Sequence, residues 1–341
     1  MFDKKSIFKI AIIAISSAKL IAMVLIAAGL LTSCSLSVNG FKGTTASNNI
    51  ISKDISTADF SKIEVIGSTE VEYSQSADNK CKVSVTGPDN IILLLDIRIE
   101  NETLKVSYKD KSNINLNGKI LTIYASSPSI SDARLTGSGD IIFSTNVLCK
   151  NLWLQLTGSG YIKTKNIKCD NLNVNLSGSG DIKLEYQTFA NNTSLKLSGS
   201  GDIGVRELAT KTVHAALEGS GNLEVSQVLA NDVYTSLSGS GDIRIKNIKA
   251  TGLDASLSGS GDIKLNGNVQ SCALNVLNSG TISADKLYSV NTVANLSGSG
   301  YISCNATNTV ATSINGSGNI SVSGKPQNIK STGKKGPSLK S

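Results

Sequence analysis

The chain has 341 residues, of which 40% are hydrophobic and only 4% aromatic, and it carries a net charge of +7. The first 33 residues contribute +3 and residues 325–341 contribute +5, which leaves −1 for residues 34–324. Nucleic-acid binding uses basic stripes backed by stacking aromatic rings, so this central composition argues against a nucleic-acid partner.

Residues 1–33 have the features of a secretory signal peptide. Three lysines open the segment, two apolar runs follow over residues 10–15 and 20–31, and small residues precede Cys34. A transmembrane anchor is the alternative interpretation of the apolar stretch, because it is long.

The order Leu-Thr-Ser-Cys at residues 31–34 resembles the lipobox of bacterial lipoproteins. This resemblance implies cleavage before Cys34 and acylation of that cysteine, and several acyl chains give stable membrane attachment. Ser35 stands where a retention aspartate would hold an inner-membrane lipoprotein, so the resemblance implies the outer membrane. Whether the protein faces the periplasm or the cell surface stays open.

Two segments separate Cys34 from the repeats that follow. Residues 34–50 are rich in Ser, Asn, Gly and Thr, which predicts a flexible tether. Residues 51–130 alternate apolar and polar residues in short runs, such as Ile63-Glu-Val-Ile66 and Leu121-Thr-Ile-Tyr124, with turn residues between them. We expect this segment to form a β-rich cap, because the ends of repeat proteins need a cover.

Residues 131–324 repeat a Gly-Ser-Gly triplet every 18 to 21 residues. The triplets begin at Gly137, Gly158, Gly178, Gly199, Gly219, Gly239, Gly259, Gly298 and Gly316, with an Asn-Ser-Gly version at Asn278. Apolar residues occupy alternate positions on both sides of each triplet, which predicts two strands with one buried face each. The units are too short for a helical crossover. The pattern therefore predicts an all-β fold, a parallel β-helix or solenoid of ~20-residue rungs with glycine at each corner.

Residues 325–341 contain two prolines and five lysines. This composition predicts a basic, disordered tail after the last rung.

Five stretches in chain order resemble one known family. They are Phe60-Ser-Lys-Ile-Glu-Val65, Val83-Ser-Val-Thr-Gly87, Leu104-Lys-Val106, Leu121-Thr-Ile-Tyr124 and Leu135-Thr-Gly-Ser-Gly-Asp-Ile141. Over about residues 55–322 the sequence is similar to the head GIN domain of auto-transporter adhesins (DUF2807). The resemblance implies a secreted or lipid-anchored β-solenoid with no established activity, and adhesion as the expected role.

Three outward-facing rows are candidates for binding. Trp153, His214 and Tyr234 lie five positions before a triplet, where aromatic rings beside amides suit carbohydrate stacking; ordinary edge packing is the alternative. Basic residues lie five and seven positions after the triplet start and suit acidic glycans or lipopolysaccharide phosphates, unless neighbouring acids neutralise them. The basic row comprises Lys163, Lys165, Lys183, Arg206, Arg244, Lys246 and Lys264.

The third row consists of aspartates three positions after the triplet start. These are Asp140, Asp181, Asp202, Asp242 and Asp262. A calcium ladder is one interpretation, but each rung supplies one carboxylate and calcium takes six or more oxygens, which favours capping of the turn. Neither the lone His214 nor any cysteine pair has the spacing of a metal site. We therefore predict no metal and no cofactor.

The cysteines beyond Cys34 fall on predicted inward positions. Cys149 and Cys169 occupy the same position in neighbouring rungs, and whether they are bonded stays open.

These patterns predict a non-catalytic lipoprotein of the cell envelope that serves adhesion, display or scaffolding through its outward faces. The expected partners are a membrane, through Cys34, and a glycan or a protein of an envelope or host surface. The alternative is a carbohydrate-active β-helix enzyme, a polysaccharide lyase or hydrolase. The near-constant spacing leaves no room for the inserted loops that such an enzyme would be expected to show.

Overall fold

The computed structural model describes residues 43–109 and 113–340, and the part from Thr44 onward forms one compact unit. The predicted signal peptide and Cys34 lie outside the described residues. Within the described residues, no helix combines the length and the apolar composition needed to cross a membrane.

The described chain is almost entirely strand, with one short helix, α1, at Asp89–Ile92. Before the first triplet the strands are β1 Thr44–Thr45, β2 Ile50–Ile55, β3 Lys62–Gly67, β4 Glu70–Gln75, β5 Lys82–Pro88, β6 Leu95–Glu100, β7 Thr103–Tyr108, β8 Ile114–Asn115 and β9 Thr122–Ser127. From there to Gly239 they are β10 Asp132–Gly137, β11 Asp140–Phe143, β12 Val147–Leu148, β13 Asn151–Gly158, β14 Tyr161–Thr164, β15 Ile167–Lys168, β16 Asn171–Gly178, β17 Asp181–Phe189, β18 Asn192–Gly199, β19 Asp202–Ala209, β20 Thr212–Gly219, β21 Asn222–Val225, β22 Val228–Leu229 and β23 Asp232–Gly239. The remainder are β24 Asp242–Gly259, β25 Asp262–Asn278, β26 Thr281–Gly298, β27 Tyr301–Asn305, β28 Thr309–Asn315, β29 Asn319–Ser323, β30 Asn328–Gly333 and β31 Ser338–Leu339.

Most of these strands stack in parallel as a β-solenoid of about 10 turns, which confirms the predicted fold class. In β13 and β16, for example, Trp153 faces Asn173 and Gly158 faces Gly178 across the pair. A third, shorter strand completes each rung, as in the pairing of β12 with β15. Equivalent residues of successive rungs therefore form ladders that run through the stack.

Aliphatic ladders on both sides of the glycine corner form the core. The leucines two positions before each triplet are buried, and so are the isoleucines or leucine four positions after its start. The two ladders include Leu135, Leu156, Leu176, Leu197, Leu217, Leu237 and Leu257 on one side and Ile141, Ile162, Ile182, Ile203, Leu223, Ile243 and Ile263 on the other. Near the start of the stack the ring of Tyr73 meets that of Phe143 edge to face, with centroids 5.3 Å apart.

Glycine at the corner has two physical causes, which Gly199 illustrates. Its φ is +136°, a conformation that residues with a Cβ rarely adopt. A Cβ there would also lie 2.3 Å from the carbonyl oxygen of Gly178 in the preceding rung. That oxygen accepts hydrogen bonds from the N–H groups of Ser200 (2.9 Å) and Gly201 (3.0 Å), so the corner holds successive rungs together.

The predicted capping of the turn by aspartate side chains differs from what the structure shows. Corner N–H groups bond to the carbonyl of the preceding rung, as at Gly178. The aspartates turn away from the corner, and Asp202 accepts a hydrogen bond from the Asn222 backbone N–H of the next rung at 3.2 Å. Asp181 lies 3.7 Å from the ammonium of Lys183, and Asp262 lies 3.0 Å from that of Lys264. The sequence could not reveal this, because either partner was available to a carboxylate at that position.

Part of the predicted cap belongs to the solenoid itself. Strands β3 and β4 pair in parallel with β10 and β11, and Gly67 stacks under Gly137 as a variant corner with φ +112°. Strands β7 and β9 then pair in parallel with β3 and β4. The spatial order of these rungs thus differs from the chain order. The end is covered by antiparallel strands, because β6 pairs with β7, β5 with β9, and β2 with β5.

The described parts of the two segments predicted to be flexible, residues 43–50 and 325–340, extend the folded unit. In the predicted tether, β1 pairs with β8, Ala46 is buried, and the Ser47 N–H donates to Asn90 Oδ1 at 2.9 Å. The tail was predicted to be disordered, yet β30 and β31 pair in parallel with β28 and β29. The last rung offers unpaired backbone groups, and backbone pairing needs little from side-chain composition.

Candidate functional site

The predicted ligand residues lie on one outward row, which we call the aromatic face. Trp153, His214 and Tyr234 project from β13, β20 and β23 at equivalent register positions. His214 and Tyr234 are neighbours, with ring centroids 4.7 Å apart and planes within 8° of parallel. Trp153 stands three rungs from His214, roughly 14 Å at the usual strand spacing. The structure therefore brings His214 and Tyr234 together and leaves Trp153 separate.

A groove of about 350 Å³ opens beside Tyr234 on this face. Its floor lies at Gly252 and Ala273, where small residues replace the longer side chains of neighbouring rungs. Asp232 and Asp254 line it with carboxylates, and the Tyr234 ring, 42% exposed, forms one wall. An aromatic wall next to carboxylate acceptors is an arrangement that suits a sugar ring and its hydroxyl groups.

The second outward surface, the charged face, consists of the positions three, five and seven after each triplet start. Its basic residues are largely paired with acids of the same or the neighbouring rungs. The ion pairs are Lys163 with Glu185, Lys183 with Asp181, Arg244 with Asp242, Lys246 with Glu224, and Lys264 with Asp262. The ammonium of Lys165 instead lies 4.7 Å from the ring centroid of Tyr186. Most of the basic row is thus neutralised.

Arg206 differs from the ion-paired cations of the charged face and, unlike Lys165, lies over no aromatic ring of the described residues. It is exposed, and among residues 43–109 and 113–340 no carboxylate lies within 4 Å of its guanidinium. Two positions earlier, Gly204 occupies the place where the adjacent rungs carry Lys183 and Glu224.

A groove of about 590 Å³ opens at Gly204, and we call it the Gly204 groove. Lys183 and Tyr186 line one side, Glu224 lines the other, and Asp202 and Arg206 flank the glycine along its own strand. The sequence contained the signal for this site, since Gly204 is the one glycine in an otherwise long-chain stretch of that ladder. Gly204 was not among the predicted site residues, because the triplet of its rung is regular and the interruption lies five positions after the triplet start.

The aspartate row does not gather into a metal site. Asp202 accepts a hydrogen bond from the Asn222 side-chain amide at 2.9 Å, and the members Asp181, Asp242 and Asp262 face lysine or arginine. The described part of the chain contains no group of three or more His, Cys, Asp or Glu side chains placed to hold a metal ion.

Asp140 is electrostatically distinct within that row. It pairs in register with Glu70, and burial together with the nearby Glu70 carboxylate raises the pKa of Asp140 above its usual value. Glu70 in turn accepts a hydrogen bond from the Thr122 hydroxyl at 2.8 Å.

Exposed apolar side chains recur along a third outward row, the apolar edge, which was not among the predicted sites. Leu148, Phe189, Leu229 and Tyr288 occupy the same register position on the short third strands and their continuations. Each is between 46% and 64% exposed. Lys168, Ala209, Lys249 and Asn268 stand between them in the same ladder, so the exposed apolar side chains are separated from one another.

The cysteines within the described residues are free thiols. Cys169, Cys272 and Cys304 are buried, and burial raises the pKa of the Cys304 thiol to about 12. Cys149 stacks against Cys169, and their contact lowers the pKa of the Cys149 thiol while raising that of Cys169.

Comparison with protein families identifies the repeat. The family described as “Putative auto-transporter adhesin, head GIN domain” matches residues 59–247 and 226–326. Comparison with curated proteins finds no match.

Comparison with solved structures finds proteins of low sequence identity to the chain. A “putative adhesin” from Parabacteroides distasonis is 18% identical with a TM-score of 0.48, over 87% of this chain and 98% of that one. A “putative adhesin” from Parabacteroides merdae is 16% identical with a TM-score of 0.48, over 87% and 99%. A “putative lipid binding protein” from Parabacteroides distasonis is 23% identical with a TM-score of 0.40, over 87% and 99%. Because the family match spans most of the sequence, the chain belongs to the head GIN domain family.

Proposed function

We propose that this protein is a non-catalytic adhesin of the cell envelope that binds glycans on the aromatic face of its solenoid. The observation that carries the proposal is the stacked His214–Tyr234 pair beside a groove with two carboxylates. Membership of a family described by adhesion supports the same class of function. The regular rungs supply a rigid scaffold, and the outward side chains supply the contacts.

Tyr234 gives the sharpest test, because its ring is both exposed and part of the groove. We expect the full chain, purified in detergent, to bind one sugar class saturably on a glycan array, and Tyr234→Ala to abolish that binding. Tyr288→Ala is the matched control, since it removes a ring that is 57% exposed on the apolar edge. Equal loss in both variants, or no loss in either, would refute the assignment of the aromatic face.

Product analysis separates the adhesin from the alternative enzyme. A polysaccharide lyase or hydrolase would convert the bound glycan into shorter chains with new ends. We expect the bound glycan to be recovered at its original mass after prolonged incubation, and chain cleavage would favour the enzyme.

Membrane attachment through Cys34 is the second part of the proposal. The lipobox-like sequence at residues 31–34 supports it. Cells given an alkyne fatty acid should label the wild-type chain, and Cys34→Ser should remove the label and release the protein from the membrane fraction. Release without acyl labelling of the wild type would contradict lipid anchoring, whereas retention of Cys34→Ser in the membrane would support a transmembrane anchor.

A further inference from the structure

We infer that the Gly204 groove on the charged face is a second binding site, and that it accepts a uronic acid residue of an acidic polysaccharide. This inference extends the proposed function, but it involves different residues on a different face from the Tyr234 groove.

Nothing in the backbone requires glycine at position 204. Its φ lies outside the left-handed region, unlike that of Gly199. A Cβ added there would lie 3.7 Å from Lys183 Cγ, which is ordinary van der Waals contact. Glycine in a strand interior is also unfavourable, because it packs nothing and loses more conformational freedom on folding. The absence of a side chain at position 204 therefore has its effect at the surface, where it opens the groove.

The width of the gap matches a single sugar ring. Lys183 and Glu224 border Gly204 in the register, so the gap spans two rung steps, or roughly 9.6 Å between strand centres. A pyranose ring can lie over the Gly204 backbone between these two side chains, with the Tyr186 ring, 39% exposed, at one end of the wall.

Two charges beside Gly204 also lack the ion pairs that similar residues of the charged face make. On other rungs the aspartate three after the triplet start pairs with a cation two positions later, as Asp181 does with Lys183 and Asp242 with Arg244. Asp202 has no such cation, because Gly204 occupies that position, and it accepts from Asn222 instead. At the other end, Arg206 lacks a carboxylate within the described residues.

These groups complement a uronic acid residue. The guanidinium of Arg206 matches a carboxylate in the bidentate geometry that arginine favours. Asp202 and Glu224 are acceptors for hydrogen bonds from sugar hydroxyl groups. The negative charges of Glu185 and Glu224 are already balanced by Lys163 and Lys246, so they repel a sugar carboxylate less. A neutral sugar would leave Arg206 unpaired, so the groove favours the acidic form.

The test uses α-1,4-linked tetragalacturonate and its methyl ester, in which a methyl group on each carboxyl removes the negative charge. Titration calorimetry on the full chain in detergent should show that the wild type binds the acid at least tenfold more tightly than the ester. That ratio corresponds to about 1.4 kcal/mol. Arg206→Gln should weaken binding of the acid at least tenfold and remove the preference over the ester.

Two further variants make the experiment specific to the groove. Gly204→Lys restores the basic ladder, fills the gap and should abolish binding while the melting temperature stays equal to or above that of the wild type. Lys264→Gln removes one positive charge from the same face outside the groove, and its affinity should stay within twofold of the wild type. Should either Gly204→Lys or Arg206→Gln prove unstable, the other still decides the question.

Three results would overturn the inference. They are absence of tetragalacturonate binding by the wild type, equal losses in Arg206→Gln and Lys264→Gln, and unchanged binding by a folded Gly204→Lys. If the wild type fails to bind tetragalacturonate while array binding is lost in Tyr234→Ala, the proposed function survives and only this site is wrong. If tetragalacturonate binds as expected and no Tyr234-dependent binding is found, the aromatic face is wrong and the Gly204 groove stands.

Discussion

Replacing Gly199 or Gly204 with alanine compares two glycines of one rung that have different physical roles. At Gly199 a side chain would be strained by the φ of +136°, which costs about 1–3 kcal/mol. Its Cβ would also lie 2.3 Å from the Gly178 carbonyl oxygen, and relief of such a clash by backbone shifts costs typically about 1–3 kcal/mol more. Movement of the rung would weaken the hydrogen bonds from Ser200 and Gly201 to that oxygen. We therefore expect Gly199→Ala to lower the free energy of unfolding by about 2–6 kcal/mol.

Gly204→Ala is the matched control, because it adds the same methyl group where no strain and no clash exist. It should leave stability unchanged or raise it by about 0.4–1 kcal/mol through the unfolded state. Urea unfolding followed by circular dichroism measures both changes from the shift in midpoint. Equal stabilities of the two variants would refute the account of the corner.

Three further predictions concern single groups in the described residues. Asp140→Asn should raise the melting temperature at pH 7 but not near pH 3. The raised pKa of Asp140 means that folding disfavours its charged form. This loss of stability develops as the pH rises through that pKa. Asp78→Asn is the control with the opposite sign and should lower the melting temperature at pH 7. The hydrogen bond from Lys82 lowers the pKa of Asp78, so the charge of Asp78 favours the folded state at that pH. Tyr73→Phe should cost about 0.5–1.5 kcal/mol in urea unfolding, since it removes the buried bond between the tyrosine hydroxyl and Ser127 Oγ at 3.0 Å. A mild thiol oxidant should form a disulfide between Cys149 and Cys169, because neighbouring rungs place their Cα atoms roughly 4.8 Å apart. The bond would appear as a mass loss of about 2 Da that Cys149→Ser prevents. Continued reaction of both thiols with an alkylating agent would contradict this prediction.

The repeated part of the fold could be predicted because the residue pattern of each ladder recurs in every rung of the sequence. Leu176 alone would not indicate which face of its strand is buried. The same residue type two positions before almost every triplet does identify the inward face. The triplet likewise required a backbone conformation that glycine alone takes easily, which Gly199 confirms. Parallel pairing in register followed from the constant spacing.

The two ends could not be predicted, because their pairing is not local in sequence. Nothing in residues 62–75 indicates that β3 and β4 lie between β7–β9 and β10–β11 in space. The tail has the composition of a disordered segment, yet its backbone pairs with the last rung.

The candidate sites depend on side-chain contacts that spacing leaves open. The phase of Tyr234 and His214 was correct, but only the structure shows that their rings stack and that Gly252 opens a groove beside them. At Gly204 the sequence held enough information, since a glycine interrupts a ladder of long side chains. The absence of a partner for Arg206 within the described residues could be seen only after the neighbouring ion pairs were placed.

The most direct test of the central claim is equilibrium binding of the array-selected glycan to the full chain, followed by mass analysis of the recovered glycan. Non-catalytic binding by the outward faces predicts saturable binding, loss of that binding in Tyr234→Ala with an unchanged melting temperature, and recovery of the glycan at its original mass. Absence of binding, or recovery of the glycan as shorter fragments, would contradict the claim.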